Sequence, residues 1–282
     1  MRFFSTNGAT LAHGIDKLDM ASTEIELLKE PARGSHRGPP LLFIHGGFHG
    51  AWCWADHFMP WFAARGFECF AVSYREHGAN PRTDRHAEWR LKDYVEDVSN
   101  AIRRLDASPV LVGHSLGGTI AQKVSASESF PAMVLLAPSP IGGSGLAAVR
   151  MLLGHARAMS RAMRTGDMSH AMPAFLSFFL SADVPAAERA RIAARCDGRT
   201  SMQAALDAFY NDCPKPQKTS MPVLVASGAG DWSIPRRKNI DLAKAYGGDH
   251  IVTPTAHDMM CDTRWEAAAT QVHAWLSSRL GD

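Results

Sequence analysis

The sequence has no long apolar run and no strong net charge. Its formal net charge is +2 over 282 residues, so no strong field would attract nucleic acid or anionic lipid. No apolar run approaches the roughly 20 residues that a membrane-spanning helix needs. The chain starts Met-Arg-Phe-Phe-Ser-Thr-Asn-Gly, without the long apolar core of a secretion signal. These absences predict a cytoplasmic protein with no membrane and no nucleic-acid partner.

Motifs for disulfides, metals and phosphates are also missing. The five cysteines are scattered and form no C-x-x-C pair, at Cys53, Cys69, Cys196, Cys213 and Cys261. Such cysteines are typical of reduced thiols in the cytosol. His45 and His49 are four residues apart, but a glycine-rich segment favours packing and hydrogen bonding over metal ligation. The glycines from Ile141 to Gly145 precede no Gly-Lys-Ser/Thr, so no phosphate loop is predicted.

The rest of the composition is that of a globular protein with a large core. The chain is 46% hydrophobic and 21% charged, which is ordinary for such proteins. From Leu41 to Ala137, short buried strands alternate with helices. This alternation predicts an α/β fold with a mostly parallel sheet and helices on both faces. Ligands of such sheets bind beyond the carboxyl ends of the strands.

Apolar runs and helical periodicity predict the individual elements of this fold. The predicted strands are 41–44, 67–74, 110–112, 133–137, 221–227 and 250–253, with a weaker edge strand at 23–29. The predicted helices of the core are 54–66, 91–105, one beginning near Thr119, one from Pro235 and 265–280. Pro60 lies inside the first helix and implies a kink or a late start.

The alternation breaks between Pro138 and about Ser220. Helices are predicted at 185–196 and 201–210, and Phe175 to Leu180 is densely apolar. We therefore predict a helical lid at 139–220, inserted into a core formed by 1–138 and 221–282. Arginines opposite an apolar stripe in its first helix are expected to face solvent, at Arg150, Arg157, Arg161 and Arg164. Its many methionines suit either an adaptable apolar pocket or a methionine-rich core.

The segment 113–117 reads Gly-His-Ser-Leu-Gly, a G-x-S-x-G pattern between a predicted strand and a predicted helix. In this context the pattern predicts a strained turn that exposes the hydroxyl of Ser115. The N–H of Leu116 would then stand at the helix N-terminus, where an oxyanion can be held. The alternative is a serine buried in an ordinary turn.

Three more residues follow predicted strands, and two of them allow two interpretations. Gly47 lies in a glycine-rich segment, which is either a plain turn or a loop whose N–H groups face a ligand. Asp231 lies in a glycine-flanked turn, where it orients a histidine or caps the helix from Pro235. His257 lies in the loop after the last strand.

The chain order Ser115, Asp231, His257 matches the triad of the α/β-hydrolase superfamily. Together with His45-Gly-Gly and the serine pattern, the sequence resembles this superfamily from about Leu41 to its C-terminus. The resemblance implies the α/β-hydrolase fold with a helical lid. It also implies catalysis by these three residues, with Gly47 and Leu116 forming the oxyanion hole and with no metal or organic cofactor.

Residues 45–54, His-Gly-Gly-Phe-His-Gly-Ala-Trp-Cys-Trp, resemble a loop of plant methylesterases and hydroxynitrile lyases. The lyases carry a lysine directly after the catalytic histidine, where this sequence has Asp258. The resemblance therefore favours ester hydrolysis over lyase chemistry. The implied activity is that of a serine esterase cleaving a small-to-medium apolar ester or a lactone.

Six residues are predicted to contact the substrate: Phe48, His114, Met151, Phe175, Phe179 and Trp232. Other reactions of the same triad stay open, namely hydrolysis of an amide or carbon–carbon bond and cofactor-free lyase or oxygenase chemistry. A non-catalytic ligand receptor is a third alternative, although receptors often lose a triad member. The sequence leaves open whether the protein is a dimer.

Overall fold

The computed structural model describes residues 16–17, 25–35, 38–83, 88–142, 156–165, 168–196 and 199–281. The strands among these residues are β1 (Asp16–Lys17), β2 (Leu27–Glu30), β3 (Leu41–Ile44), β4 (Cys69–Val72), β5 (Val110–His114), β6 (Met133–Leu136), β7 (Val223–Gly228) and β8 (Asp249–Thr253). All the strands predicted from the sequence are present, with bounds shifted by a few residues.

The strands form one sheet in the order β1-β2-β4-β3-β5-β6-β7-β8. From β4 to β8 all neighbours are parallel, whereas β1 pairs with β2 and β2 with β4 in antiparallel fashion. The predicted mostly parallel sheet is thus confirmed. The strand predicted at 23–29 is β2, which lies next to the edge because β1 pairs outside it.

The core helices are α1 (Trp52–Ala55), α2 (Phe58–Ala63), α3 (Leu91–Ile102), α4 (Leu116–Val124), α9 (Arg236–Tyr246) and α10 (Trp265–Leu280). The single helix predicted at 54–66 is therefore wrong, because α1 and α2 are separate. Pro60 is the third residue of α2, in the first turn, where a missing N–H costs no helical hydrogen bond. No helix of the described residues is long and apolar enough to cross a membrane.

Alternate side chains of each strand pack into two hydrophobic layers, as the two-residue repeat of a strand requires. In β3, Leu41 and Phe43 face the layer of α1, α2 and α10, while Leu42 and Ile44 face the layer of α3, α4 and α9. All of β3, β5, β6 and β7 is buried. The sheet is therefore a rigid platform whose strand ends can fix loop residues in place.

Among the described residues, the chain between β6 and β7 also contains helices. They are α5 (Ala156–Thr165), α6 (Met172–Phe179), α7 (Ala186–Arg195) and α8 (Met202–Leu206), and we call the described residues between these strands the β6–β7 segment. The helix predicted at 201–210 is instead α8 followed by a π-helical turn, Asp207–Asn211. Arg157, Arg161 and Arg164 are exposed on α5, as predicted. Arg150 and Met151 lie outside the described residues.

The β6–β7 segment is attached to the core by an apolar cluster and by ion pairs. Its buried cluster consists of Ala171, Met172, Phe175, Leu176, Leu180, Val184, Ile192 and Cys196. Phe48 and Trp52 of the core pack against this cluster. On the surface, Asp56 accepts hydrogen bonds from Arg191 at 2.9 Å and Arg195 at 2.8 Å.

Candidate active site

Ser115 is the single residue between β5 and α4. Its backbone has φ 50° and ψ −118°, a conformation that costs free energy for any residue with a Cβ. The strained turn predicted from the sequence pattern is therefore present. It is held by the N–H of Ser115, which donates to Leu136 O at 3.0 Å, and by the N–H of Ser139, which donates to Ser115 O at 3.1 Å. Ser115 itself is half-buried.

Two glycines let the loop after β3 lie directly against this turn. A Cβ on Gly117 would stand 2.3 Å from His45 O and 2.3 Å from Ile44 O. A Cβ on Gly46 would stand 2.7 Å from His114 Nδ1 and 3.1 Å from the Cβ of Ser115. Side chains at either position would thus force the two segments apart.

This approach brings together the segments of the two predicted oxyanion-hole amides. Leu116 is the first residue of α4, and the first N–H groups of a helix have no partner within the helix. Gly47 follows Gly46 in the loop that touches Ser115. Both amides are therefore on the rim of the sheet beside the serine.

Asp231 and His257 form a buried pair beyond β7 and β8. The Nδ1–H of His257 donates to Asp231 Oδ2 at 2.9 Å, and the two side chains are 3% and 1% exposed. The other carboxylate oxygen accepts from the N–H groups of Ser233 at 2.9 Å and Ile234 at 3.1 Å. Of the two roles that the sequence allowed, Asp231 thus has the first, because it orients His257; its other oxygen holds the turn before α9 and does not cap the helix itself.

Burial and charge act in opposite directions on this pair. Burial lowers the pKa of His257, but the charge of Asp231 and the hydrogen bond to it prevail and raise the pKa above its usual value. Burial raises the pKa of Asp231, but the charge of His257 and the hydrogen bonds prevail and lower it. Asp231 is therefore ionised at neutral pH and holds the proton of His257 on Nδ1. The Nε2 atom is then the nitrogen that can accept a proton.

His114 connects the serine turn to the His257 loop. Its Nε2–H donates to His257 O at 3.1 Å, and the two ring centroids are 4.9 Å apart. Among the described residues, no hydrogen bond joins Ser115 Oγ to the ring of His257. Catalytic hydrogen bonds are often long in unliganded sites and tighten when substrate binds.

The prediction that His114 contacts substrate does not agree with its burial. Its side chain is 1% exposed and packs against the ring of His257. Burial, together with the charge of His257, lowers the pKa of His114 to about 3. His114 is therefore a neutral packing residue that supports the site.

Three of the other predicted substrate contacts, Phe48, Phe175 and Phe179, form a row of aromatic rings that we call the apolar wall. The ring of Phe48 lies 5.3 Å from that of Phe175, which lies 5.8 Å from Phe179. The Phe179 ring in turn lies 4.8 Å from that of His257. Trp232 packs edge-on against Phe178 of the same helix at 4.2 Å. Helix α6 thus brings apolar rings to the histidine, while Met151 lies outside the described residues.

The sequence indicates no role in the site for two buried residues, His49 and Asp258. Nε2 of His49 lies 3.3 Å from Asp258 Oδ2, with the two side chains 3% and 1% exposed. In the sequence, Asp258 stands out only as the residue at the position of the lyases' lysine. A carboxylate directly after the histidine of the predicted triad indicates a second charge near the site, but nothing in the sequence identifies its partner.

Three ligand atoms of His114, His257 and Asp258 lie within 4.8 Å of one another, a spacing that a metal ion could use. The remaining contacts do not suit a metal. His257 uses Nδ1 to bind Asp231, and the charge of Asp258 faces His49. Both groups thus already have protein partners.

A family model described as the Alpha/beta hydrolase family matches residues 41–271. A Mycoplasma pneumoniae protein provisionally named esterase/lipase 2 is 37% identical over 113 residues, which are 39% of this chain and 40% of that protein. The chain therefore matches less than half the length of this relative.

Two solved structures illustrate the similarity in fold. The esterase EaEST from Exiguobacterium antarcticum has a TM-score of 0.72 at 17% identity, covering 91% of this chain and 97% of that chain. Est816, described as an N-acyl homoserine lactone degrading enzyme, has a TM-score of 0.66 at 18% identity, covering 89% of this chain and 96% of that chain. At these identities the likeness concerns the fold alone.

Proposed function

The chain belongs to the alpha/beta hydrolase family, and from this premise we propose that it is a serine hydrolase. It cleaves a small-to-medium apolar carboxylic ester or a lactone through an acyl-enzyme on Ser115. The observation that carries the proposal is the buried hydrogen bond of 2.9 Å between Asp231 and His257, beside the strained turn of Ser115. This pairing leaves Nε2 of His257 as the general base.

The proposed mechanism uses only groups of the chain. A serine hydroxyl is too weakly acidic to attack at neutral pH, so His257 takes its proton while Ser115 Oγ attacks the acyl carbon. Asp231 stabilises the imidazolium that forms. The N–H groups of Gly47 and Leu116 bind the oxyanion, where one such donor is worth roughly 3–4 kcal/mol of barrier. His257 then protonates the leaving alcohol, and water repeats the cycle on the acyl-enzyme.

The apolar wall supports an apolar acyl group as substrate. The row of rings runs from Phe48, in the loop after β3, through Phe175 and Phe179 to His257. An acyl chain bound there would bury its surface against aromatic rings. We propose that the β6–β7 segment is the lid over this wall. The names of EaEST and Est816 place both an esterase and a lactone-degrading enzyme among proteins of similar fold, which supports testing esters and lactones together.

The decisive experiment measures turnover of p-nitrophenyl esters, lactones and anilides by the wild type and by Ser115→Ala. We expect esters or lactones to be the best substrates, and Ser115→Ala to lose roughly 10⁶-fold in kcat. The matched control is Ser125→Ala at the end of α4, whose hydroxyl donates to Gln122 O at 3.1 Å.

Covalent labelling separates an enzyme from a receptor. A fluorophosphonate should label the wild type and the Ser125→Ala variant, but not Ser115→Ala or His257→Ala. Full activity in Ser115→Ala, or labelling that does not depend on His257, would contradict the proposal. A protein that binds esters without turning them over would support the receptor alternative instead.

A further inference from the structure

The ring of His49 makes two contacts that fix its protonation. Its Nδ1 lies 2.9 Å from Gly47 O, and because a carbonyl oxygen only accepts, Nδ1 must carry a proton. Its Nε2 lies 3.3 Å from Asp258 Oδ2. Facing an ionised carboxylate, Nε2 must carry a proton as well. The geometry therefore describes an imidazolium.

Asp258 needs this positive charge, because its side chain is 1% exposed. Among the described residues, no donor forms a well-directed hydrogen bond to either of its carboxylate oxygens. His114 lies 3.6 Å from Oδ1, but burial lowers its pKa to about 3, so it is neutral. A buried carboxylate without a compensating charge is strongly unfavourable. His49 is the nearest described group that can supply that charge; His257 also lowers the pKa of Asp258, but its Nδ1–H is bonded to Asp231.

The pKa directions agree with a charged pair. Burial lowers the pKa of His49, yet the nearby Cys196 and Asp258 raise it well above its usual value. Burial raises the pKa of Asp258, yet His49 prevails and lowers it. Cys196 Sγ lies 3.9 Å from His49 Nε2, and the rings of Trp52 and His114 complete the surroundings.

The pair is bonded to the residue proposed to hold the oxyanion. Hydrogen bonds hold the backbone on both sides of Gly47. Tyr74 Oη–H donates to Gly46 O at 3.0 Å, and Phe48 N–H donates to Thr200 Oγ1 at 2.7 Å. The bond from His49 to Gly47 O completes the set, so the peptide groups before and after Gly47 are both fixed.

We propose that His49 and Asp258 form a buried ion pair that positions the N–H of Gly47 for the oxyanion. The proposal rests on the proposed function, because the oxyanion arises only in that reaction. Since Asp258 directly follows His257, the pair joins the loop of the base to the loop of the oxyanion donor. His49 and Asp258 are thus positioning residues that act through Gly47.

Asp258→Asn removes the charge with little change of shape. We expect kcat for an ester to fall by roughly tenfold to a hundredfold, less than the loss of an oxyanion donor itself, with KM within about threefold. The matched control is Asp97→Asn, a buried carboxylate bound to Arg75 at 2.6 Å on the opposite layer. The control is expected to lower stability while kcat stays unchanged.

A second measurement detects the ion pair of His49 and Asp258 without relying on enzymatic activity. In ¹⁵N spectra of the wild type, both ring nitrogens of His49 should be protonated at pH 7, and one should lose its proton in Asp258→Asn. Because Cys196 Sγ lies 3.9 Å from His49 Nε2, Cys196→Ala serves as the reference for the effect of the thiol on this ring.

The two measurements distinguish a failure of this inference from a failure of the proposed function. A neutral His49 ring in the wild type at pH 7 overturns the ion pair, whether or not Asp258→Asn folds. A folded Asp258→Asn variant with unchanged kcat overturns the positioning role. If instead Ser115→Ala keeps full activity while His49 is an imidazolium, the ion pair stands and the proposed reaction fails.

Discussion

The sheet core and the β6–β7 segment are built by different means. In the core, β3, β5 and β7 are buried along their whole length, and glycines bring neighbouring loops into backbone contact. The β6–β7 segment consists of short helices and a π-helical turn around a small cluster of its own. The core carries Ser115, Asp231 and His257, whereas the segment supplies Phe175, Phe179 and Thr200.

This difference separates the chemical step from the choice of substrate. A residue fixed by a buried strand end keeps its geometry for every substrate, so its loss should slow all reactions equally. A residue on the β6–β7 segment contacts only part of the substrate, so its loss should change the ranking of substrates. The predictions below test this separation.

Among the variants that test this separation, the largest effect is expected for Asp231→Asn. This variant should lose roughly 10⁴-fold in kcat, because an amide cannot hold His257 in the required tautomer or stabilise its positive charge. The loss should be the same for short and long acyl esters. It is measured as kcat for a series of p-nitrophenyl esters.

The pH profile gives the same variant a second readout. The base must be neutral, so wild-type kcat/KM should rise as pH passes the raised pKa of His257. Without the Asp231 charge, burial prevails and lowers that pKa, so the acid limb should move to lower pH. Asp249→Asn, whose carboxylate accepts from Trp275 Nε1 at 2.7 Å, is the control. An unchanged acid limb in Asp231→Asn would contradict the assignment.

Gly117→Ala tests how tightly the core fixes the serine turn. The new methyl group would stand 2.3 Å from the carbonyl oxygens of Ile44 and His45, and backbone atoms cannot move aside as the end of a flexible side chain can. We expect a loss of at least about 1–3 kcal/mol in the free energy of unfolding. Urea titration measures it.

Gly230→Ala is the matched control for that loss. The nearest atom to its added Cβ would be 3.5 Å away, so the change should stay within about 0.5 kcal/mol. Equal stability of both variants would mean that close approach does not fix the turn.

The smallest effect is expected for Phe179→Ala. Its ring lies 4.8 Å from that of His257, so its removal should lower kcat/KM for medium acyl chains by about tenfold and for acetate by much less. Tyr210→Ala, which removes an aromatic ring that is 58% exposed, should leave the ranking unchanged. An equal loss for all acyl lengths would place Phe179 in the chemical step and remove the distinction between core and segment.

Much of the core could be predicted because its signals are local. Unbroken apolar runs predicted the strands, and Gly113 and Gly117 around Ser115 predicted the strained turn with φ 50°. The order of strands and loops then indicated that Asp231 and His257 would lie at one edge. The 2.9 Å bond between them agrees with this.

The remaining features depend on contacts between distant parts of the chain. His49 follows β3 and Asp258 follows β8, which are not neighbouring strands, so the two residues are 209 positions apart in the chain and meet where both lie against His114 at the end of β5. His114 lies in the serine motif, but its burial depends on His257, whose ring packs against it.

The surface contact at Asp56 has a consequence for how the protein responds to salt. Arg191 and Arg195 both bind this carboxylate and are 43% and 34% exposed. Exposed pairs of this kind contribute about 0–1 kcal/mol each, and ions screen them over about 8 Å at physiological ionic strength. The contact of Phe48 with Phe175 is apolar and does not weaken in this way. A high salt concentration should therefore weaken the contact between α7 and Asp56, the residue after α1, and leave the apolar wall in place.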